Sequence, residues 1–172
     1  MSFEEKRVLR YTFFPSRIGN IGLAATEEGI CRLNLSVDPE EFGAELEARY
    51  NCAAVEDGGH FAEIKRDLED YFERRARGFN CAIDLIEGTD FQRRVWRALL
   101  KIPYGQVRSY GWVAREIGRP KAVRAVGGAN ARNPIAIVIP CHRVVRSDGG
   151  LGGYGGGPEV KRELLQIEGV VL

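Results

Sequence analysis

Apolar residues at strand-like spacing fill residues 8 to 35. The stretches "VLRYTFF" and "IGLAATEEGICRLNL" mix β-branched, aromatic and small apolar side chains with polar ones, and Gly19-Asn20 and Glu28-Gly29 are turn signals. This pattern predicts a small antiparallel sheet. Asp38 and Pro39 then open a predicted helix running to about Tyr50, with Asp38 as N-cap and Pro39 at the first helical position. A second helix is predicted over residues 61 to 75, where Phe61, Ile64, Leu68, Tyr71 and Phe72 recur at helical spacing. The first part of the chain therefore reads as an α+β lobe ending near Ile86.

A second, mainly helical unit follows. In "EGTDFQRRVWRALLKIPYG", Thr89 can cap a helix whose apolar face is Phe91, Val95, Trp96 and Leu99, and which Pro103 and Gly105 end. "SYGWVAREIGRPKAVRAVGGANARNP" reads as two short helices. Ser109 caps the first, Gly118 stops it, Pro120 starts the second and Asn133-Pro134 ends it, the pattern of a helix-turn-helix. Gly127, Gly128 and Ala129 remove side-chain bulk from one turn of the second helix, for close approach by a nucleic acid or by a neighbouring helix.

Next comes "IVIPCHRVV", an apolar run closed by Pro140 and followed at once by Cys141 and His142. Successive side chains of an extended strand point to opposite faces, so this pair cannot act as a direct dyad across a flat strand. "SDGGLGGYGGG" has seven glycines between Ser147 and Gly157 but lacks the Lys-Ser/Thr ending of a phosphate-binding loop. A last predicted helix over residues 158 to 167 turns Leu164 and Leu165 inward and stops at Glu168-Gly169.

The formal net charge of +1 conceals a division along the chain. Residues 1 to 90 carry 11 Lys/Arg against 19 Asp/Glu, whereas residues 91 to 146 carry 12 Lys/Arg and a single acid, Glu116. A basic block in an otherwise acidic chain suggests a polyanion-binding surface. Arg115, Arg119, Lys121, Arg124 and Arg132 all fall on the helix pair, which favours nucleic acid over a plain structural hairpin. Cys31, Cys52, Cys81 and Cys141 are widely spaced with no CxxC pair, and His60 lacks ligand neighbours, so neither a disulfide framework nor a metal site is expected. No apolar stretch has membrane-spanning length, and "MSFEEKRVLR" carries acids where a signal peptide would be basic and then apolar; an intracellular protein is expected.

Taken in order, "FQRRVWRALLKIPYGQVRSY", "RAVGGANARNP", "PCHRV", "GLGGYGGG" and "KRELLQIEG" resemble the O6-alkylguanine-DNA alkyltransferases. The resemblance is close over residues 89 to 169 and weak over residues 1 to 88. It implies an α+β chain with a ribonuclease H-like lobe over residues 1–86 and an alkyltransferase domain over residues 87–172. It also implies a suicide reaction in which the alkyl group of O6-alkylguanine, and less readily of O4-alkylthymine, moves to Cys141. Its roles carry over residue by residue. His142 is the base, acting through a water, Glu168 orients its imidazole, Tyr110 assists the leaving base and Asn133 orders the active-site turn. The carbonyls of Cys141 and Val144 read the guanine amino group, with Tyr154, Gly155 and Gly156 lining the pocket. Gly155 stands where the family can have serine. Arg124 fills the space of a flipped-out base, while Ser109, Tyr110, Gly127, Gly128, Ala129 and Arg132 meet the minor groove of double-stranded DNA. No cofactor and a monomer are expected.

The chemistry agrees with these assignments, because a thiol of pKa about 8.5 needs activation before it can attack a saturated carbon. A bridging water lets adjacent residues cooperate without facing each other. Other readings are a lesion-binding protein without transfer, against which Cys141 argues, a transcription regulator, for which no further domain is visible, and a cysteine hydrolase.

Overall fold

The computed structural model describes residues 8–172, so most of "MSFEEKRVLR" lies outside the described residues. β1 (Val8–Ser16), β2 (Gly19–Ala25) and β3 (Ile30–Leu35) form the expected antiparallel meander. α1 (Phe42–Tyr50) starts three residues later than its Asp38-Pro39 signal. The Asp38 carboxylate accepts the Glu40 amide and its carbonyl accepts those of Glu41 and Phe42, so the signal closes a turn ahead of the helix. β4 (Ala53–Glu56) pairs in parallel with β1, giving the order β3-β2-β1-β4 and a mixed sheet, not a wholly antiparallel one. Its side chains are mostly exposed and carry no alternation from which a strand could be read. α2 (Ala62–Phe72) follows a 3-10 turn and buries Ile64, Leu68, Tyr71 and Phe72.

Strand periodicity divides β2 between two cores. Ile21, Leu23 and Ala25 face the main core, while Ala24 joins Leu9, Cys31, Phe42 and Leu46 beneath α1. Gly22 is what allows α1 to lie flat on the sheet, since a Cβ there would stand 2.6 Å from the Phe42 ring.

In the second unit Thr89 caps α3 (Asp90–Leu99) in a reciprocal capping box with Gln92, and Val95, Trp96 and Leu99 are buried. β5 (Arg108–Ser109) leads into α4 (Tyr110–Glu116), which Ser109 caps through the Trp112 amide. α5 (Val123–Ala131) begins after Pro120, because residues 119 to 122 form a turn closed by the Ala122 amide on the Arg119 carbonyl. A 3-10 turn (Cys141–Arg143), β6 (Val144–Val145) parallel to β5, and α6 (Pro158–Ile167) complete the chain.

The run before Cys141 is not the expected strand. Ile137 has φ +69°, and the amides of Val138 and Ile139 return to the carbonyls of Ala136 and Ile135, so residues 135 to 139 coil through successive turns. Pro140 thus closes a coil, and its apolar character reflects burial on every side. This coil is held from outside: Leu33 of edge strand β3 donates its amide to Pro134 and accepts that of Ala136. One continuous apolar cluster joins the two units, with Leu23, Leu33 and Leu68 packed alongside Trp96, Val126 and Ile139. Among the described residues no helix is long and apolar enough to cross a membrane.

Gly22→Ala should force Phe42 off the sheet and destabilise the protein by about 1–3 kcal/mol. Gly78→Ala, whose added Cβ meets nothing within 4 Å, is the control and should change little. Urea denaturation midpoints measure both.

Candidate active site

Cys141 opens the 3-10 turn and His142 follows it. Successive side chains on such a turn diverge by roughly 120°, not the 180° of a strand, which removes part of the geometric objection to their cooperation. Both are buried, at 5% and 0% exposure.

Glu168, just past the end of α6, also has a fully buried side chain. Its Oε1 accepts from Tyr71 Oη at 2.7 Å, stands 2.7 Å from His142 Nε2 and accepts from Arg143 Nη2 at 3.0 Å. Oε2 accepts from Arg143 Nε at 2.9 Å and from the Gly105 amide at 3.1 Å. Burial works against its ionisation, but hydrogen bonds from His142 and Arg143 and the charge of Arg143 oppose that, and the carboxyl is held at about 2. An ionised carboxylate only accepts, so His142 must donate from Nε2. That leaves Nδ1 with the lone pair. Nδ1 is buried and has no partner among the described residues; burial lowers the pKa of the imidazole and keeps it neutral, while Glu168 acts in the opposite direction.

Burial raises the Cys141 pKa, whereas Asn133, Lys161 and Tyr154 act in the opposite direction. Lys161 is fully buried, with Nζ on the carbonyls of Val144 at 2.6 Å and Gly153 at 3.3 Å. Burial lowers its pKa to about 8, and Cys141 is the group that favours its charged form. Asn133 orders the coil: Nδ2 donates to the Ile139 carbonyl at 2.7 Å and Oδ1 accepts the Ile135 amide at 3.0 Å.

A cavity of about 160 Å³ opens beside the sulfur, lined by Asn130, Asn133, Cys141, Tyr154, Gly155 and Gly156, with β3 forming its far wall. Larger hollows exist near His60 and between Arg32 and Arg132, and neither is lined by Cys141. A Cβ on Gly155 meets nothing within 4 Å, so the missing serine is a chemical difference, not a steric one. Tyr110 is half-buried above Gly152, where a Cβ would lie 2.7 Å from the phenol oxygen. The carbonyls expected to read guanine also accept hydrogen bonds from within the protein. Val144 accepts from Lys161, and Cys141 accepts from its helical turn's Val144 amide and from Asn130 Nδ2.

On the helix pair, Arg115, Arg119, Lys121 and Arg124 are exposed, and Arg124 makes no hydrogen bond or ion pair with the described residues. A Cβ on Gly127 would make ordinary contact with Tyr110, and one on Gly128 would meet only the mobile end of Arg132, so neither glycine is demanded by helix packing. Ala129, expected on the DNA face, is instead buried. Its carbonyl accepts Trp96 Nε1 at 2.9 Å and ties α5 to α3.

Four residues of the site were not singled out from sequence: Tyr71, Asn130, Arg143 and Lys161. Tyr71 and Lys161 sit on helices whose apolar pattern accounts for their positions, and Arg143 counted only as part of the basic block. Asn130 carried the one available signal, an amide in a run of small residues.

Two family models match the chain: "6-O-methylguanine DNA methyltransferase, ribonuclease-like domain" over residues 9–85 and the corresponding "DNA binding domain" over residues 90–170. A methylated-DNA–protein-cysteine methyltransferase of Methanosarcina acetivorans is 45% identical over 92% of this chain and 97% of its own length. One of Mycobacterium bovis is 54% identical over 94% and 93%. The crystal structure of Mycobacterium tuberculosis OGT in complex with DNA aligns with a TM-score of 0.81 at 43% identity, covering 92% of each chain.

The Glu168 carboxyl lies below its ordinary value of 4.5 in the folded protein, so its ionisation stabilises the fold fully above about pH 4.5. That contribution is lost as pH falls towards 2. Glu168→Gln should be less stable at pH 7, by about 3–5 kcal/mol, because Arg143 is left buried without its partner. It should also lose stability less steeply than wild type between pH 4.5 and 2, as measured by chemical denaturation across that range.

Proposed function

The chain belongs to the 6-O-methylguanine DNA methyltransferase family, and from that premise we propose that it repairs alkylated DNA by moving one alkyl group irreversibly to Cys141. The observation that carries this reading is the neutral His142, fixed through Nε2 by an ionised Glu168 and left with a buried, unshared Nδ1, next in the chain to a cysteine that lines a cavity.

In this reaction a water between Nδ1 and Sγ passes the thiol proton to His142. Lys161 and the Tyr154 hydroxyl favour the resulting thiolate. The thiolate attacks the alkyl carbon, forming S–C as C–O6 breaks, and the electron pair of that bond passes to the guanine. A hydrogen bond or proton from Tyr110 stabilises the departing base, which otherwise leaves as an anion. The product thioether has no route back to a thiol, so each molecule acts once.

A stacked base hides its reacting carbon, so the lesion is flipped out of the duplex into the cavity. The unpaired, exposed Arg124 on α5 supports a role in filling the space it leaves, and the unencumbered Gly127 and Gly128 support close seating of that helix in the minor groove. O4-alkylthymine is a slower substrate of the same cavity. The protein acts as a monomer inside the cell, without a cofactor.

Intact-protein mass spectrometry after incubation with an oligonucleotide containing O6-methylguanine should show a gain of one methylene unit, mapping to Cys141, with at most one turnover. Repeated turnover, or lesion binding without mass gain, would sink the proposal. Arg124→Ala should slow reaction with duplex lesions roughly 10- to 100-fold, the scale of the unstacking energy, while reaction with free O6-alkylguanine changes little. Equal losses on both substrates would reject the flipping role.

A further inference from the structure

Asn130 is 4% exposed at the end of α5 and lines the cavity beside Cys141. Its Nδ2 donates to the Cys141 carbonyl at 3.3 Å. That contact fixes which way the amide faces, because the opposite orientation would set oxygen against oxygen. Oδ1 is thereby left buried and has no partner among the described residues. An unmatched acceptor in a site this enclosed costs about 1–3 kcal/mol, which a matching donor on a bound base recovers.

O6-alkylguanine offers one such donor. Alkylation removes the N1 proton, so its remaining ring nitrogens accept and only the exocyclic 2-amino group donates. The Cys141 carbonyl already receives the Val144 amide as well as Asn130 Nδ2, so both of its lone pairs are engaged. Among the side chains that line the cavity, Asn130 offers an amide oxygen with no partner among the described residues. O4-alkylthymine carries a carbonyl oxygen at the equivalent edge, which would face Oδ1 as acceptor against acceptor.

We propose that Asn130 is a specificity-determining residue: its Oδ1 accepts the 2-amino group of the flipped guanine while Nδ2 remains on the Cys141 carbonyl. The same amide disfavours alkylated thymine. This inference rests on the alkyl-transfer reading above.

The test compares single-turnover rates on duplexes containing O6-methylguanine, O6-methylhypoxanthine, which lacks only the 2-amino group, or O4-methylthymine. The wild type should prefer O6-methylguanine to O6-methylhypoxanthine by roughly tenfold, the scale of one hydrogen bond. Asn130→Leu should shrink that preference, slowing O6-methylguanine more than O6-methylhypoxanthine, and should narrow the gap to O4-methylthymine. A circular dichroism spectrum and a urea midpoint close to those of the wild type report that the variant is folded. Equal proportional losses on both purines in a folded variant, or no wild-type preference between them, would overturn the assignment. Should Asn130→Leu fail to fold, Asn130→Asp decides, since it keeps an acceptor of the same shape: its carboxylate slows both purines but should retain the preference, and a lost preference overturns the proposal. Absence of any methyl gain by the wild type would instead defeat the proposed function itself.

Discussion

Glu168 places a full negative charge where solvent does not reach, and its surroundings are organised around that charge. Five donor groups converge on two oxygens: the Tyr71 phenol, the His142 ring, two nitrogens of Arg143 and the Gly105 amide. They come from α2, from the turn after α3 and from the turn that carries the cysteine. An isolated buried carboxylate costs several kcal/mol in desolvation, so the charge survives only because these segments meet. The same contacts set the tautomer of His142 and so decide which nitrogen is free to take a proton. Structural cohesion and basicity at this site have a single origin.

Unsatisfied polar atoms follow a complementary pattern. Asn130 Oδ1, His142 Nδ1 and the Tyr154 hydroxyl are the buried side-chain atoms without a hydrogen-bond partner among the described residues, and all three belong to residues grouped around Cys141. Native interiors leave few such groups, and those that persist have a reason. Here the other buried side-chain polar groups of the described residues are paired, and three around the thiol are left without a partner. Lys161 adds a buried cation whose partners are carbonyls, so the neighbourhood of the sulfur favours negative charge even though burial alone opposes it.

Much of this was legible in the residues, and what was missed has physical causes. Thr89 and Ser109 act as the caps their side chains advertise, because capping depends on chemistry within three residues. The mixed face of α2 was equally clear. Asp38-Pro39 and Pro120 misled because a turn satisfies the same local preferences as a helix start. The coil before Cys141 reads as a strand for a different reason: burial from all sides erases the periodicity that distinguishes the two. Within the site, Cys141, His142 and Glu168 stand out by residue type, whereas Tyr71, Arg143 and Lys161 resemble ordinary helix or surface residues until long-range packing reveals their partners. Ala129 errs in the opposite direction, as a small residue reads alike at a DNA surface and in a core.

The order of the segments along the chain also governs when the cysteine becomes reactive. Tyr71 is made early, Cys141 and His142 late, and Glu168 after all of them, beyond the last helix. Until α6 docks, His142 lacks the acceptor that selects its tautomer, and Lys161, carried on that helix, is not yet near the sulfur. A nascent chain therefore holds an unarmed thiol until α6 and Glu168 have been made. In a reaction that consumes the protein, a nucleophile armed only when its last partner is in place is not spent on an incomplete chain.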